Sequence, residues 1–338
     1  MENKNKKHVF LIIVLCIIGI ISAAVITVLV IPLTETRKGA GVEGSNNWMS
    51  KIDGNLYLNE ITIPGTHDSG ANYVQLGLFS KCQASDVKTQ LNDGFRYLDV
   101  RLGPDKKDDE PALSLYHGFC HCKTSPWPFS ENLYLEYYLK DCYEFLNENP
   151  SETIIFVVSN ERDADTAEFQ MLLDSYIRKN EDYWYLSSKL PMLNDCRGKI
   201  VLARRYSDKA ELGSRAGIEI FWSDQGGRDD VSLSYNTETK DDYVLIIQDR
   251  YKYTSDEKWN AFVSCLESEK QSDDTLIINF LSTNGSPKYG HPYKYAKVLN
   301  EKFLKSPLNE NEIKNDSIWI IVDFSNALLA KQIYEFNF

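Results

Sequence analysis

The chain has 338 residues, of which 43% are apolar and 25% are charged, and its formal net charge is -12 at pH 7. This composition is typical of a globular protein with a sizeable core and excludes a disordered or repetitive chain. The acidic charge is spread without a long basic run, which excludes recruitment of nucleic acid by electrostatic attraction alone. A phosphate substrate would have to be held by a few local cations.

The first segment with a clear pattern is apolar and long. Three lysines among residues 1–7 precede an apolar run over residues 8–32 that contains no Asp, Glu, Lys or Arg. A helix needs about 20 apolar residues to cross a membrane, whereas the apolar core of a cleaved signal peptide has about 7 to 15. We therefore predict a cytoplasmic N-terminus and a transmembrane signal anchor, with a signal peptide or a buried core helix as alternatives. The lysines place the rest of the chain in the lumen or outside the cell.

Residues 33–47 are predicted to form a flexible stalk because they are rich in glycine and polar residues and show little apolar periodicity. A single folded domain is predicted over residues 48–338. Short β-rich runs alternate with helical patterns along this domain. Strands are predicted at residues 60–64, 95–100, 113–116, 153–158, 199–203, 243–248, 275–280 and 317–322. Helices are predicted at residues 131–147, 166–178, 256–269 and 292–304.

Strands that alternate with helices predict a parallel sheet. About eight such strands predict an α/β barrel of the TIM type, with an irregular or incomplete ring of helices. A doubly wound open sheet is the alternative, although no glycine-rich nucleotide-binding fingerprint follows any predicted strand.

Cysteine usage fits an extracytosolic domain. Cys16 lies in the apolar run, and the other six cysteines form an even number that could pair in an oxidising compartment. The motif Cys120-His121-Cys122 suggests zinc only weakly, because its one-residue spacing differs from that of structural zinc sites and no second pair is near. Asn284 and Asn315 each begin a glycosylation sequon.

Chemically active side chains stand at or just after the ends of the predicted strands. They are His67, Asp68, Asp99, Arg101, His117, Arg205, Asp249, Tyr251 and Asp323. In a parallel barrel the carboxyl ends of the strands meet at one face, so these side chains are expected to converge on one pocket. A lone histidine beside a strand is more often structural, but the set as a whole suits phosphoryl transfer. One imidazole would remove a proton, another would donate one, and a guanidinium would neutralise the phosphate oxygens.

These residues also resemble a known family. The sequence Ile-Pro-Gly-Thr-His-Asp-Ser at residues 63–69, the Asp-x-Arg of Asp99 and Arg101, and the Tyr-His-Gly that contains His117 closely resemble the catalytic X-domain of bacterial, metal-independent phosphatidylinositol-specific phospholipases C. The resemblance extends over nearly the whole chain from residue 50 onward.

The resemblance implies roles for two histidines. His67 would be the general base that deprotonates the inositol 2-hydroxyl, with Asp323 orienting its ring. His117, assisted by Asp68, would protonate the diacylglycerol oxygen. The implied substrate is phosphatidylinositol or a glycosyl-phosphatidylinositol lipid in a membrane, and the implied products are diacylglycerol and inositol 1,2-cyclic phosphate.

Other implied roles concern charge and the inositol ring. Arg101 would stabilise the charge on phosphorus with Asp99 positioned beside it. No metal or other cofactor is expected, because this arginine replaces a carboxylate of calcium-dependent relatives. Glu161 departs from the bacterial pattern, which has lysines near this strand end, and hints at calcium. The inositol ring would be held by Arg205, Asp249 and Tyr251.

Two aromatic segments are candidates for membrane contact or for ordinary core packing. One contains Tyr73, Leu76, Leu78 and Phe79, and the other is Trp127-Pro128-Phe129. No obligate protein partner is evident. The competing functions are a metal-dependent glycerophosphodiester or sphingomyelin phosphodiesterase of the same barrel class and a non-catalytic lipid-binding module.

Overall fold

The computed structural model describes residues 2–25, 41–127, 129–162, 166–226, 234–236, 244–267, 272–285, 291–306 and 317–338. The end of the predicted anchor, the first part of the predicted stalk, Pro128 and Asn315 therefore lie outside the described residues.

The N-terminal helix α1 spans Glu2–Val25. Its segment Lys7–Val25 has 19 residues with a mean hydropathy of 2.9, and none of it is buried against the rest of the protein. At 1.5 Å per residue this segment is about 28 Å long, close to the thickness of a hydrocarbon core. By length and composition, α1 is thus able to cross a membrane.

The folded part is built on one mainly parallel sheet. Its strands are β1 Ile63–Thr66, β2 Tyr97–Lys107, β3 Glu110–His117, β4 Cys120–His121, β5 Ile154–Asn160, β6 Trp184–Tyr185, β7 Ile200–Arg204, β8 Ile218–Glu219, β9 Ser234–Asn236, β10 Val244–Gln248, β11 Thr275–Phe280 and β12 Trp319–Val322. The order across the sheet is β6-β7-β5-β2-β1-β12-β11-β10-β9, with β8 also beside β7. Among the strands that the structure describes, only β9 is antiparallel to its neighbour along this order.

This sheet is the predicted TIM-type barrel. Among the described residues no strand pairing joins β6 or β8 to β9, so the barrel is not closed. The surrounding helices are α2 Gly77–Ser80, α3 Val87–Asp93, α4 Leu135–Glu148, α5 Ala167–Arg178, α6 Leu193–Cys196, α7 Ser255–Leu266, α8 Pro292–Lys305 and α9 Ala327–Tyr334. The four predicted helices correspond to α4, α5, α7 and α8.

Strand β5 shows how the sheet separates two apolar cores. Ile155 and Val157 belong to one buried cluster, and Ile154, Phe156 and Val158 belong to the other. Successive side chains of a strand point to opposite faces, and a parallel sheet is covered on both. The unbroken apolar run of β5 therefore reflects burial on both of its faces.

The third predicted strand differs from the expectation. β3 runs antiparallel to β2, with Leu102 opposite Leu115, so it is the return arm of a hairpin and not a parallel barrel strand. The turn is made by Asp108 and Asp109, which have positive φ values of 51° and 66°, as the tight turns of hairpins require. By this antiparallel register His117, two residues beyond Leu115, is brought back to the level of Val100, one residue before Arg101.

All seven cysteines fall in described residues, and none forms a disulfide. The expected pairing of the six outside α1 is therefore not seen. Every one of those six is buried, where it behaves as a small apolar side chain.

Candidate active site

His67 and Asp323 are brought together by the pairing of β1 and β12. Thr66 lies opposite Val322 in this parallel pair, so the residues that follow them emerge side by side. Nδ1 of His67 is 2.8 Å from Oδ1 of Asp323. Because a carboxylate can only accept, Nδ1 carries the hydrogen, and Nε2 keeps its lone pair.

The environment of His67 suits a base. Burial lowers the pKa of its imidazole, but the adjacent charge of Asp323 and the hydrogen bond to it outweigh burial, and the pKa is raised. An imidazolium formed at this position would therefore be stabilised by Asp323.

Arg101 lies at the centre of the site. Its Nε and Nη2 both donate to Oδ2 of Asp99 at 3.2 Å, and Nη1 donates to Oε1 of Glu161 at 3.3 Å. Nη2 also donates to Nε2 of His67 at 2.8 Å. Burial lowers the pKa of this arginine, but the carboxylates overcome that effect and raise it, so the cation is permanent.

Asp99 is a fixed counter-charge below Arg101. Its Oδ2 also accepts the backbone N–H of Asp68 at 3.1 Å. Burial raises the pKa of Asp99, yet Arg101 and His67 dominate and bring it down to about 2. The carboxylate therefore stays ionised and holds the guanidinium in place.

His117 lies across the pocket from His67, with 6.4 Å between the ring centroids. Its Nδ1 is 2.6 Å from the carbonyl oxygen of Ser80, which leaves Nε2 for the pocket. Asp68, the predicted partner, has its Oδ2 at 3.7 Å from Nδ1, beyond a hydrogen bond. At this distance the interaction between Asp68 and His117 is electrostatic and not a hydrogen bond.

Burial raises the pKa of Asp68 to about 6, although His117 and Arg101 oppose the rise. Its Oδ2 has no hydrogen-bond partner. Asp68 also has a positive φ of 42°, a conformation that is uncommon outside glycine and is concentrated at functional sites.

Two further residues complete the centre. Oε1 of Glu161 accepts the backbone N–H of Gly118 at 2.9 Å as well as a bond from Arg101, so it ties the loop after His117 to the central cation. The sequence suggested Glu161 only as a hint of calcium. Cys82 has its Sγ 3.7 Å from Nδ1 of His117, and no motif in the sequence pointed to it.

Beside the histidines lies a cavity of about 440 Å³, within the size range of small-molecule sites. Arg205, Asp249 and Tyr251, which were predicted from the sequence, all line it together with His67 and Arg101. The remaining lining residues are Cys82, His117, Ser159, Asn160, Glu161, Trp222, Asp224, Ser282, Thr283, Asn284, Pro292 and Asp323.

The predicted ring-binding side chains have partners that sequence reasoning missed. The guanidinium of Arg205 stacks 3.5 Å from the ring centroid of Trp222. Nε1 of Trp222 donates to Oδ2 of Asp249 at 3.1 Å. The hydroxyl of Tyr251 donates to Asp224 at 2.6 Å, and burial together with that carboxylate raises the tyrosine pKa to about 12. Trp222 and Asp224 follow the two-residue strand β8, which carries too little pattern to be predicted.

Exposed apolar side chains occur in the two segments singled out in the sequence. Leu76, Phe79, Trp127 and Phe129 are exposed, and Phe119, which directly follows the Tyr-His-Gly motif, is 71% exposed. Tyr73 and Leu78 are half-buried. Large exposed aromatic side chains of this kind are typical of surfaces that meet a partner or a membrane.

Known proteins share this arrangement of sequence and structure. Residues 60–206 match the family described as "Phosphatidylinositol-specific phospholipase C, X domain". The chain is 28% identical to a 1-phosphatidylinositol phosphodiesterase of Staphylococcus aureus over 297 residues, which cover 82% of this chain and 88% of that protein. It is 27% identical to the protein of that name from Listeria monocytogenes over 309 residues, which cover 87% and 85%.

Solved structures agree. A phosphatidylinositol-specific phospholipase C from Staphylococcus aureus superposes with a TM-score of 0.69 at 26% identity, covering 86% of this chain and 97% of that chain. The enzyme from Listeria monocytogenes gives a TM-score of 0.67 at 25% identity, covering 87% and 99%.

Proposed function

We infer that this chain, which belongs to the bacterial-type phosphatidylinositol-specific phospholipase C family, cleaves the phosphodiester bond of phosphatidylinositol. The observation that carries the inference is the pair of imidazoles on either side of one permanently charged arginine. His67 is paired with a carboxylate that favours proton uptake, and His117 faces the same cavity from the opposite side. This is the arrangement that acid–base cleavage of a phosphodiester requires.

We propose that the reaction starts at the inositol 2-hydroxyl. Nε2 of His67 takes the hydroxyl proton while the oxygen forms a bond to phosphorus. His117 then gives a proton to the glycerol oxygen as its bond to phosphorus breaks. The products are diacylglycerol and inositol 1,2-cyclic phosphate. The attack benefits from the high effective molarity of a nucleophile in the same molecule, which reaches about 10⁵–10⁸ M in favourable cases.

Arg101 has two successive tasks in this scheme. Without substrate, Nη2 of Arg101 donates a hydrogen bond to the lone pair on Nε2 of His67. His67 therefore cannot accept a proton there until a phosphate binds. A bound phosphate draws the guanidinium away and frees Nε2 for the hydroxyl. The guanidinium then offsets charge that develops on the phosphate oxygens, which is why we propose a reaction without a metal.

The cavity is proposed to hold the inositol ring through Arg205, Asp249 and Tyr251, with Trp222 and Asp224 fixing their orientation. Free and glycosylated phosphatidylinositol share the bond that is cleaved, so both are proposed substrates. The exposed side chains Leu76, Phe79, Phe119, Trp127 and Phe129 are proposed to touch the lipid surface.

We further propose that α1 anchors the protein with the barrel in the lumen or outside the cell. The support is its apolar length and the three lysines before it. Protease digestion of sealed microsomes tests the orientation. Digestion of the barrel by protease in the absence of detergent would show that it faces the cytosol.

The proposed reaction is tested by diacylglycerol release from mixed micelles of detergent and phosphatidylinositol by the full-length protein. His67→Ala and His117→Ala are each expected to lower turnover by roughly 10²- to 10⁴-fold, because each removes one proton transfer. His121→Ala is the matched control, since His121 packs on Tyr116 and does not line the cavity. Near wild-type turnover in either of the first two variants would refute the assignment.

A further inference from the structure

Cys82 lies within the active centre but takes no part in the proposed reaction. It is fully buried, and its Sγ is 3.7 Å from Nδ1 of His117. It follows α2, and its backbone N–H donates to the carbonyl of Ala71, which fixes its position. A thiol held beside a catalytic imidazole is a potential ligand for a soft metal ion.

The spacing of three side chains fits such an ion. One atom each from Asp68, Cys82 and His117 lies within 4.8 Å of the other two. Nδ1 of His117 is 3.7 Å from both Oδ2 of Asp68 and Sγ of Cys82. Tetrahedral zinc, with bonds of about 2.3 Å to sulfur and about 2.0–2.1 Å to nitrogen or oxygen, separates neighbouring ligands by about 3.3–3.6 Å. The two distances from Nδ1 therefore exceed the tetrahedral spacing by only a few tenths of an ångström, and Asp68 and Cys82 lie within 4.8 Å of each other.

A second observation points to a ligand at this position. Oδ2 of Asp68 is buried without a hydrogen-bond partner, and the residue is only 1% exposed. A buried carboxylate oxygen without a partner carries a substantial desolvation cost. A cation bound between Asp68, Cys82 and His117 would satisfy it.

We propose that Asp68, Cys82 and His117 form an inhibitory site for zinc or another soft divalent cation. The metal binds Nδ1 of His117, which turns the ring away from its bond to the Ser80 carbonyl. The fourth ligand is water or that carbonyl, which lies 3.7 Å from Sγ of Cys82. The Cys82 thiol releases its proton as the sulfur–metal bond forms, and His117 changes tautomer, so that Nδ1 loses the hydrogen it donates to Ser80 and Nε2 carries one. His117 then cannot become an imidazolium, so it loses its ability to protonate the leaving group.

The surrounding charges allow a divalent cation. Arg101 opposes it, since its Nε is 3.7 Å from Oδ2 of Asp68. Asp99 and Glu161 are both bonded to this arginine and offset its charge. The combination of thiolate and imidazole ligands favours zinc over calcium or magnesium.

An overlapping set, His67, Cys82 and Asp323, also lies within reach of one ion. Its histidine and carboxylate already satisfy each other at 2.8 Å, and Nε2 of His67 is bonded to Arg101. A metal there would have to break one of these hydrogen bonds, whichever ring nitrogen it bound, so the set with the unsatisfied Asp68 is the better site.

This inference rests on the proposed function for its inhibitory effect but not for metal binding, so two separate measurements are needed. The reduced, metal-free, full-length protein in detergent is titrated with cadmium to record the ultraviolet cadmium–thiolate band, and with zinc against a chromophoric chelator. Diacylglycerol release is then measured over the same zinc range. Cys82→Ser and Asp68→Asn are compared with Cys265→Ser, which removes a buried thiol of α7 away from the site. Inhibition is expressed relative to the zinc-free activity of each variant, and circular dichroism verifies folding.

Wild type and Cys265→Ser are expected to show the thiolate band and inhibition by zinc. Cys82→Ser should lack the band, and Cys82→Ser and Asp68→Asn should each bind zinc at least about tenfold more weakly, since losing even an outer partner of a metal ligand costs about 10- to 100-fold. The proposal is overturned if wild type binds no zinc or if Cys82→Ser keeps wild-type affinity. If Asp68→Asn keeps the wild-type affinity for zinc, the metal would have to bind His67 and Asp323 instead, and the proposal would also be overturned. If no variant releases diacylglycerol, the proposed function fails, while the cadmium band still decides the site.

Discussion

The proposed base, His67, has two opposing partners, one on each ring nitrogen. Asp323 stabilises the protonated form of His67 from Nδ1, whereas Arg101 donates to the lone pair on Nε2. In the proposed reaction, the basicity of His67 is therefore set by the balance between the Asp323 carboxylate and the Arg101 guanidinium. Each of the two can be changed separately.

Asp323→Asn is expected to shift the acid limb of the pH profile of kcat/KM to lower pH. In the proposed reaction the neutral imidazole is the active base, so the wild-type rate should rise as pH increases through the raised pKa of His67. Removing the Asp323 carboxylate leaves burial and Arg101, which lower that pKa, and Asp99, which has the smallest effect and raises it. Turnover should also fall by about 10²-fold or more, because the imidazolium and the Nδ1–H tautomer lose their support. An acid limb that stays in place would point to Asp68, whose pKa is about 6.

Arg101→Asp is expected to lower activity sharply in chelator and to recover part of it with calcium. The substitution removes the cation and adds a carboxylate beside Asp68, Asp99 and Glu161, which lie 3.7, 3.2 and 3.3 Å from the arginine nitrogens. Calcium prefers six to eight oxygen ligands.

Arg101→Leu is the control for this experiment, since it removes the cation without adding a ligand. Activity of the wild type should be unaffected by chelator. If calcium restores activity in both Arg101→Asp and Arg101→Leu, the introduced carboxylate is not the cause of the recovery. A wild type silenced by chelator would refute the metal-free mechanism.

At the scale of single elements, a buried ion pair joins the beginnings of β2 and β5. Arg96 precedes β2 and is fully buried, and its Nε and Nη2 donate to Oε2 of Glu152 at 2.9 and 2.7 Å. The other guanidinium bonds go to backbone carbonyls, including those of Leu91 and Asn46. This pair lies at the opposite end of the strands from His67 and His117 and so belongs to the scaffold.

Glu152→Ala is expected to lower the free energy of unfolding by about 3–5 kcal/mol, because it leaves a buried guanidinium without its counter-charge. Chemical denaturation measures the change. Glu144→Ala, which breaks the exposed pair with Lys88, should leave stability unchanged within error. Activity of the folded fraction should persist in both variants. Equal stability of the two variants would show that the buried pair contributes little.

The secondary-structure elements differ in how well the sequence predicts them. Apolar runs such as residues 153–158 predict strands correctly because burial on both faces leaves an unmistakable pattern. The hairpin of β2 and β3 escapes prediction because its turn, Asp108-Asp109, lacks the glycine that usually marks tight hairpin turns. His117 was thus correctly expected beside His67 but for a wrong topological reason. Cys82 and Trp222 reach the pocket through short segments that carry no periodicity.

At the scale of the whole molecule, the proposed anchor and the exposed apolar side chains have related effects. With a net charge of -12, the protein has no overall attraction for an anionic lipid surface. A membrane-spanning α1 would keep the barrel near the bilayer and raise its effective concentration there. The exposed apolar side chains, among them Phe119 and Phe129, would then contact the lipid surface so that a lipid headgroup can enter the cavity.

The most direct test of the two-histidine, metal-free reaction is phosphorus NMR of the water-soluble product formed from phosphatidylinositol in the presence of chelator. The full-length protein is expected to yield inositol 1,2-cyclic phosphate as the first product, because an internal hydroxyl attacks before water does. His67→Ala should form almost none in the same time. Acyclic inositol 1-phosphate as the first product, or no turnover until a metal is added back, would contradict the account.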